Sequence, residues 1–274
     1  MFNSSLSKGI VPTEWKFSNV TPVFKGNGDP SCFANYRPSS LLSLPSKVLE
    51  RIVHNRLLDC LLSNILSNRQ FGFRPGSSTQ EALLCATSDW SHCLDRGTSV
   101  AAVSLDLSKA FDRVPHCQFL SALINIGVSG PLLAWFRSYL SGRTQRVVVD
   151  GCSSEVHPVT SGVPQGSILG PLLFSIYMNS ITNTQFHQVT SLILYADDIL
   201  LYRPVSTSDD VALMQSDVAK VVDWLYSAGL SLNAGKSNVI IFSCKFSRPV
   251  IHIVIYNTVL PIVDSIHFLG HSNQ

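Results

Sequence analysis

The chain has 274 residues, 45% hydrophobic, enough to bury a sizeable core in one or two domains; its seven cysteines, without a CxxC pair, argue against a zinc site or secreted disulfide scaffold. Mean hydropathy is +0.22, yet every apolar run breaks short of a membrane span and the first residues open no secretory segment. An intracellular protein of the nucleus or cytoplasm, with no membrane partner, is expected. Net charge is only +2, but residues 1–80 hold nine Lys/Arg against four Asp/Glu and the remainder eleven against fourteen, which suits a phosphate-contacting front and a metal-binding rear, or plain surface charge.

Residues 2–22 carry Gly9, Pro12 and Trp15 between short apolar pieces. Residues 21–29 read as a short strand running into a glycine-rich turn, and a second strand follows at 35–38. Over 46–66, Val48, Leu49, Ile52, Val53, Leu57, Leu58, Leu61 and Leu62 recur at helical spacing, with Lys47, Glu50, Arg51 and Arg56 expected largely on the other side. Residues 70–79 form either an Arg-Pro-Gly turn or an aromatic-Arg-Gly loop able to stack on bases and touch phosphates, before a helix over 79–93.

A buried-looking strand over 99–107 ends in a carboxylate, Asp106. Helices are predicted over 118–126 and 132–140, with Gly127 and Gly142 as stops. Residues 144–151 and 154–160 read as a hairpin, and Arg143 and Arg146 sit either at its surface or against nucleic acid. Pro171 suits the first turn of a helix running to about residue 181. Another amphipathic helix covers 208–226, and strands cover 239–242 and 249–256.

Residues 192–202 are one apolar and aromatic run interrupted only by Asp197 and Asp198, placed where a tight hairpin would turn. Charges beside a core cost several kcal/mol unless something positive meets them. An Asp pair in a turn is also an ordinary hairpin feature. Asp106, closing a second apolar strand, tips the reading towards divalent cations, since Mg²⁺ takes one or two carboxylates and completes its shell with water and phosphate. Two such ions about 3.5–4 Å apart can hold both oxygens of an in-line phosphoryl transfer. In Val163-Pro164-Gln165-Gly166, Gly and Pro bracket Gln165, so backbone can approach a ligand closely there. Residues 229–237 miss the P-loop pattern, with five residues between the glycines where four are needed.

Tyr195-Ala196-Asp197-Asp198 resembles the metal-binding box of reverse transcriptases, and Asp106 with Phe111 resembles their first catalytic box. The likeness is to reverse transcriptases of LINE-type (non-LTR) retrotransposons and runs through ordered blocks from Phe2 to Gly270. It implies an α+β right-hand polymerase fold: fingers over 1–99, a palm of antiparallel sheet backed by helices over 100–274, and residues 114–163 returning toward the fingers. It implies two Mg²⁺ ions, with Mn²⁺ as a substitute, held by Asp106, Asp197, Asp198 and the Leu107 carbonyl. Lys25 and Arg37 would grip the triphosphate, Phe111 would lie beneath the sugar as a steric gate, and Gln165 and Gly166 would lie near it. Lys236 would be a general acid at the leaving pyrophosphate, while Arg74, Tyr195, Leu269 and Gly270 would meet template or primer. The implied reaction is RNA-directed DNA synthesis from dNTPs on a DNA primer and an RNA template.

Thumb, endonuclease and RNase H are expected to be missing, with Met1 an accidental start in a copy that lost its leading part. Missing upstream and thumb regions, or another subunit, would then be required. The alternative is a truncated, catalytically silent remnant that at most binds nucleic acid.

Overall fold

A computed structural model describes residues 1–62, 66–246 and 249–265. Helix α1 (Phe2–Lys8) stops at Gly9, whose positive φ suits a helix end. Strands β1 (Phe17–Phe24) and β2 (Tyr36–Leu41) precede helices α2 (Leu44–Leu62) and α3 (Thr79–Asp95) and strand β3 (Ser99–Leu105). A single turn, α4 (Ala110–Arg113), leads to helices α5 (His116–Asn125) and α6 (Gly130–Leu140). Strands β4 (Arg143–Val149), β5 (Cys152–Ser153) and β6 (His157–Val159) come before helix α7 (Leu169–Asn179). The rest comprises strands β7 (Ser191–Tyr195) and β8 (Asp198–Val205), helix α8 (Ser208–Ser227), and strands β9 (Asn238–Phe242), β10 (Val254–Ile255) and β11 (Thr258–Val259).

Two compact units result, one of Met1–Ile65 with Phe111–Tyr177, the other of Leu66–Ala110 with Met178–Gln274. They do not follow the boundary expected between residues 99 and 100. Residues 66–99 fall with the second unit because α3 packs on β3 and β7. The segment grouped with the front of the chain is correspondingly longer than the expected 114–163.

In the first unit the sheet runs β2-β1-β4-β5, with β6 also on β4; β1 and β4 are parallel and the other pairs antiparallel. Helix α6 packs on α1 and α5, burying Trp135, Phe136, Tyr139 and Leu140. Arg143 and Glu50 sit differently from the sequence reading. Arg143 is buried, 2% exposed, and donates to the Tyr139 carbonyl at 3.1 Å, so it does not face nucleic acid. Arg146 donates to Asn19 at 2.8 Å and lies over the Phe17 ring. Glu50, placed by periodicity on the polar side of α2, is fully buried. Its carboxyl group accepts from the Ile168 and Leu169 amides (2.8 and 3.3 Å) and from the Ser46 hydroxyl (3.1 Å), which caps α7.

The second unit is built on an antiparallel sheet in the order β7-β8-β3-β9. Both alternating sets of side chains on β3 and β8 are buried, which is why these strands read as unbroken apolar runs. Ala82, Ala86 and Trp90 of α3 cluster with Val100, Ala102, Ile193, Leu200, Tyr202 and Ile240, and Trp90 stacks on Phe242 at 4.3 Å. Helix α8 packs on β8 through a face that buries Met214, Val218, Val221 and Leu225. A capping box between Thr207 and Asp210 starts it. Among the described residues no helix is long and apolar enough to cross a membrane.

Candidate active site

The Asp pair lies at a two-residue turn of the second unit. Tyr195 pairs with Asp198, leaving Ala196 and Asp197 as the two residues of the β7–β8 turn. Ala196 takes φ 56°, a left-handed conformation costing a non-glycine residue about 1–2 kcal/mol. On the other side of β8, Leu105 pairs with Ile199, so the antiparallel register carries Asp106 to the level of Asp198. Asp106, Asp197 and Asp198 are each half-buried.

The backbone of Asp106 is held on both sides. Its N–H donates to the Ser237 hydroxyl (3.2 Å), which donates to the Asn233 carbonyl (2.9 Å), and the Asn233 N–H donates back to the Asp106 carbonyl (2.8 Å). Leu107 bridges to Leu232, and Ser108 N–H donates to the Ser231 carbonyl at 2.8 Å. Residues 229–237, which miss the P-loop pattern, are therefore what fixes the strand end at Asp106. Lys236 stands exposed in that block, one residue before the buried Ser237.

Among the described residues no three His, Cys, Asp or Glu side chains gather closely enough to hold an ion by themselves. What the register brings together is two carboxylates on neighbouring strand ends, with a third in the turn beside them. That donor set fits Mg²⁺, a hard cation that takes one or two carboxylates and fills its remaining positions with water and substrate phosphate.

The residues expected at the nucleotide lie in the first unit. On the β1–β2 hairpin Val23 pairs with Arg37, and Lys25 is two residues beyond Val23, which puts Lys25 and Arg37 on one face near the tip. Both are exposed, and Lys25 Nζ donates to the Ala34 carbonyl at 2.7 Å. Phe111 is half-buried and stacks on Phe174, centroids 4.3 Å apart. Gln165 donates its side-chain amide to Asp112 at 2.9 Å, and its carbonyl accepts from Ser40 N–H at 2.8 Å. Gly166 has φ +101° and lies so close to the Ser40 carbonyl that a Cβ would come within 2.9 Å.

Of the template and primer residues, Tyr195 lies next to the turn in the second unit. Arg74 is engaged within its own loop, donating to the Ser67 carbonyl at 3.1 Å. Leu269 and Gly270 lie outside the described residues.

The family model for reverse transcriptase (RNA-dependent DNA polymerase) matches residues 25–272. The chain belongs to the reverse transcriptase family. Among curated relatives of this family, the RNA-directed DNA polymerase from mobile element jockey of Drosophila melanogaster is 31% identical over 253 residues, covering 89% of this chain and 27% of that protein. A probable RNA-directed DNA polymerase from transposon BS of the same organism is 32% identical over 257 residues, covering 91% and 28%. This reverse transcriptase chain thus spans little more than a quarter of the length of those relatives. In fold it is similar to the apo telomerase from Candida tropicalis truncated from its C-terminal domain, with TM-score 0.63, 14% identity, and 87% of this chain and 52% of that one covered. Family membership implies use of a divalent metal cofactor.

Sequence reasoning missed several residues that hold candidate residues in place within one unit or the other. Ser237 gave no signal beyond its place after Lys236. Asp112 accepts from Gln165, a partner distant in sequence. Glu50 carried no signal, because its partners at 168 and 169 are distant in sequence.

Proposed function

We propose that this chain is the fingers and palm of an RNA-directed DNA polymerase, part of the replication machinery of a non-LTR retrotransposon. The observation that carries this reading is the β3–β8 register, which supports Asp106 and Asp198 acting as one set with Asp197. In this reading the antiparallel sheet of the second unit is the palm, and the hairpin of the first unit belongs to the fingers.

Asp106, Asp197, Asp198 and the Leu107 carbonyl would hold two Mg²⁺ ions, or Mn²⁺ in their place. When bound, such ions supply positive charge to the attacking and leaving oxygens of an in-line displacement. This chain's own residues do the rest. Lys25 and Arg37 bind the dNTP triphosphate, Lys as a point charge and Arg as a fork. Phe111 closes the space a 2′-hydroxyl would need, and Gln165 and Gly166 orient the sugar. The primer 3′-oxygen forms a bond to the α-phosphorus as the bond to pyrophosphate breaks, and Lys236 donates a proton to that leaving group. Arg74, Tyr195, Leu269 and Gly270 contact the RNA template and DNA primer.

The test is primer extension by the purified chain on poly(rA)/oligo(dT) with dTTP and Mg²⁺. Addition of one or a few nucleotides per encounter is expected. Binding of primer–template with no addition would instead make the chain a silent remnant.

A further inference from the structure

We propose that Gly72 and Gln70 are positioning residues that set the location of the Asp197–Asp198 turn; this inference rests on the metal-binding reading of that turn. The segment over 69–71 runs beside β7. Leu194 N–H donates to the Arg69 carbonyl at 2.8 Å, Phe71 N–H donates to the Leu194 carbonyl at 2.9 Å, and Gln70 bridges to Leu194 in parallel. This one-step extension carries Gly72 directly against the back of the turn. A Cβ built on Gly72 would lie 2.2 Å from the Ala196 nitrogen and 3.0 Å from both the Ala196 Cα and the Tyr195 carbonyl carbon.

Backbone atoms cannot swing aside as the end of a long side chain can, so any side chain at 72 must move the turn or the loop. Ala196 is 6% exposed and left-handed, which leaves the turn little freedom to yield. Gly72 is fixed in turn by Gln70, whose side-chain oxygen accepts from the Gly72 N–H at 2.9 Å. Gln70 is fully buried, and among the described residues its side-chain nitrogen has no hydrogen-bond partner. Keeping a buried amide at such a cost fits a residue retained for the placement it enforces. The loop over 70–79, open in sequence between a plain turn and a stacking element, thus meets the Asp197–Asp198 turn through Gly72.

The experiment compares wild type, Gly72→Ala and Gln70→Met. Gln70→Met stays close in length and removes the acceptor. Amide hydrogen exchange of the peptide containing Ala196 is measured without metal, Mn²⁺ binding to the protein is measured by electron paramagnetic resonance, and kcat and dNTP KM come from primer extension. Folded Gly72→Ala should exchange at Ala196 at least tenfold faster, bind Mn²⁺ at least tenfold more weakly, and lose kcat with dNTP KM within twofold. Gln70→Met should show the same pattern at roughly a third of the size. Exchange and Mn²⁺ affinity within twofold of wild type, in Gly72→Ala or, should that variant not fold, in Gln70→Met, would overturn the inference. Wild type that binds no Mn²⁺ would refute the metal reading, and the exchange rates would still decide whether Gly72 places the turn.

Discussion

Replacing Glu50 by alanine tests a contact that carries no catalytic role yet shapes the loop holding Gln165. The Glu50 carboxyl group is fully buried and accepts from two backbone amides at the start of α7 and from the Ser46 hydroxyl. Truncation leaves the Ile168 and Leu169 N–H groups without their acceptor, at about 1–2 kcal/mol each for a buried donor. Loss of a negative group at the helix N-terminus adds about 0.5–1 kcal/mol. Glu50→Ala should therefore destabilise the first unit by about 3–5 kcal/mol. Glu50→Gln retains one acceptor oxygen and should cost about half as much.

The assay is urea unfolding followed by Trp fluorescence in a Trp90→Phe, Trp224→Phe background, where Trp15 and Trp135 report on the first unit. A Glu50→Ala loss under about 0.5 kcal/mol would refute the capping argument, because an unmet buried donor cannot be that cheap.

Phe111→Val should lower the ratio of kcat/KM for dTTP over UTP by roughly ten- to a hundredfold, the equivalent of about 1–3 kcal/mol of steric exclusion. An unchanged ratio with a lower melting temperature would mean the ring serves only its stack on Phe174. The Lys25→Ala, Arg37→Ala double variant should raise dNTP KM at least tenfold with little change in kcat, whereas an unchanged KM would confine Lys25 to bracing the hairpin through the Ala34 carbonyl. Asp217 has a buried carboxylate that accepts from the His187 amide, the His187 ring and Lys220. Although burial pushes its pKa up, the bonds from Lys220 and His187 hold it below the ordinary carboxylate value of 3.8. Its contribution is thus complete above that value and lost as pH falls through the lowered one. Asp217→Asn should cost on the order of 2–3 kcal/mol at pH 7, shrinking below about pH 4; a penalty unchanged down to pH 2 would remove the charge from the explanation.

The parts of this molecule legible in sequence are those whose cause is local. The β7–β8 hairpin was readable because two apolar runs flank a pair of carboxylates, and strand ends at Asp106 and Asp198 follow from where the runs stop. Ile251, Ile253 and Ile255 alternate with exposed neighbours as the strand expected over 249–256 requires, yet only Val254 and Ile255 find a paired strand. Helix α1 was not anticipated, because seven residues give too little periodicity to count. Glu50 and Arg143 look like surface charges to any periodic reading; their burial depends on α7 and Tyr139 arriving from elsewhere in the chain. Gly72 reads as a loop glycine, and only the approach of Ala196 explains why a side chain cannot be there.

The central claim is that Asp106, Asp197 and Asp198 act together on phosphoryl transfer. Single-nucleotide extension of oligo(dT) on poly(rA), with Asp106→Asn and Asp197→Asn compared against wild type at equal folded fraction, tests it most directly. The account predicts that both variants keep a cooperative unfolding transition and lose extension by at least a thousandfold, a barrier increase of about 4 kcal/mol. Either variant extending the primer at near wild-type rate would contradict it.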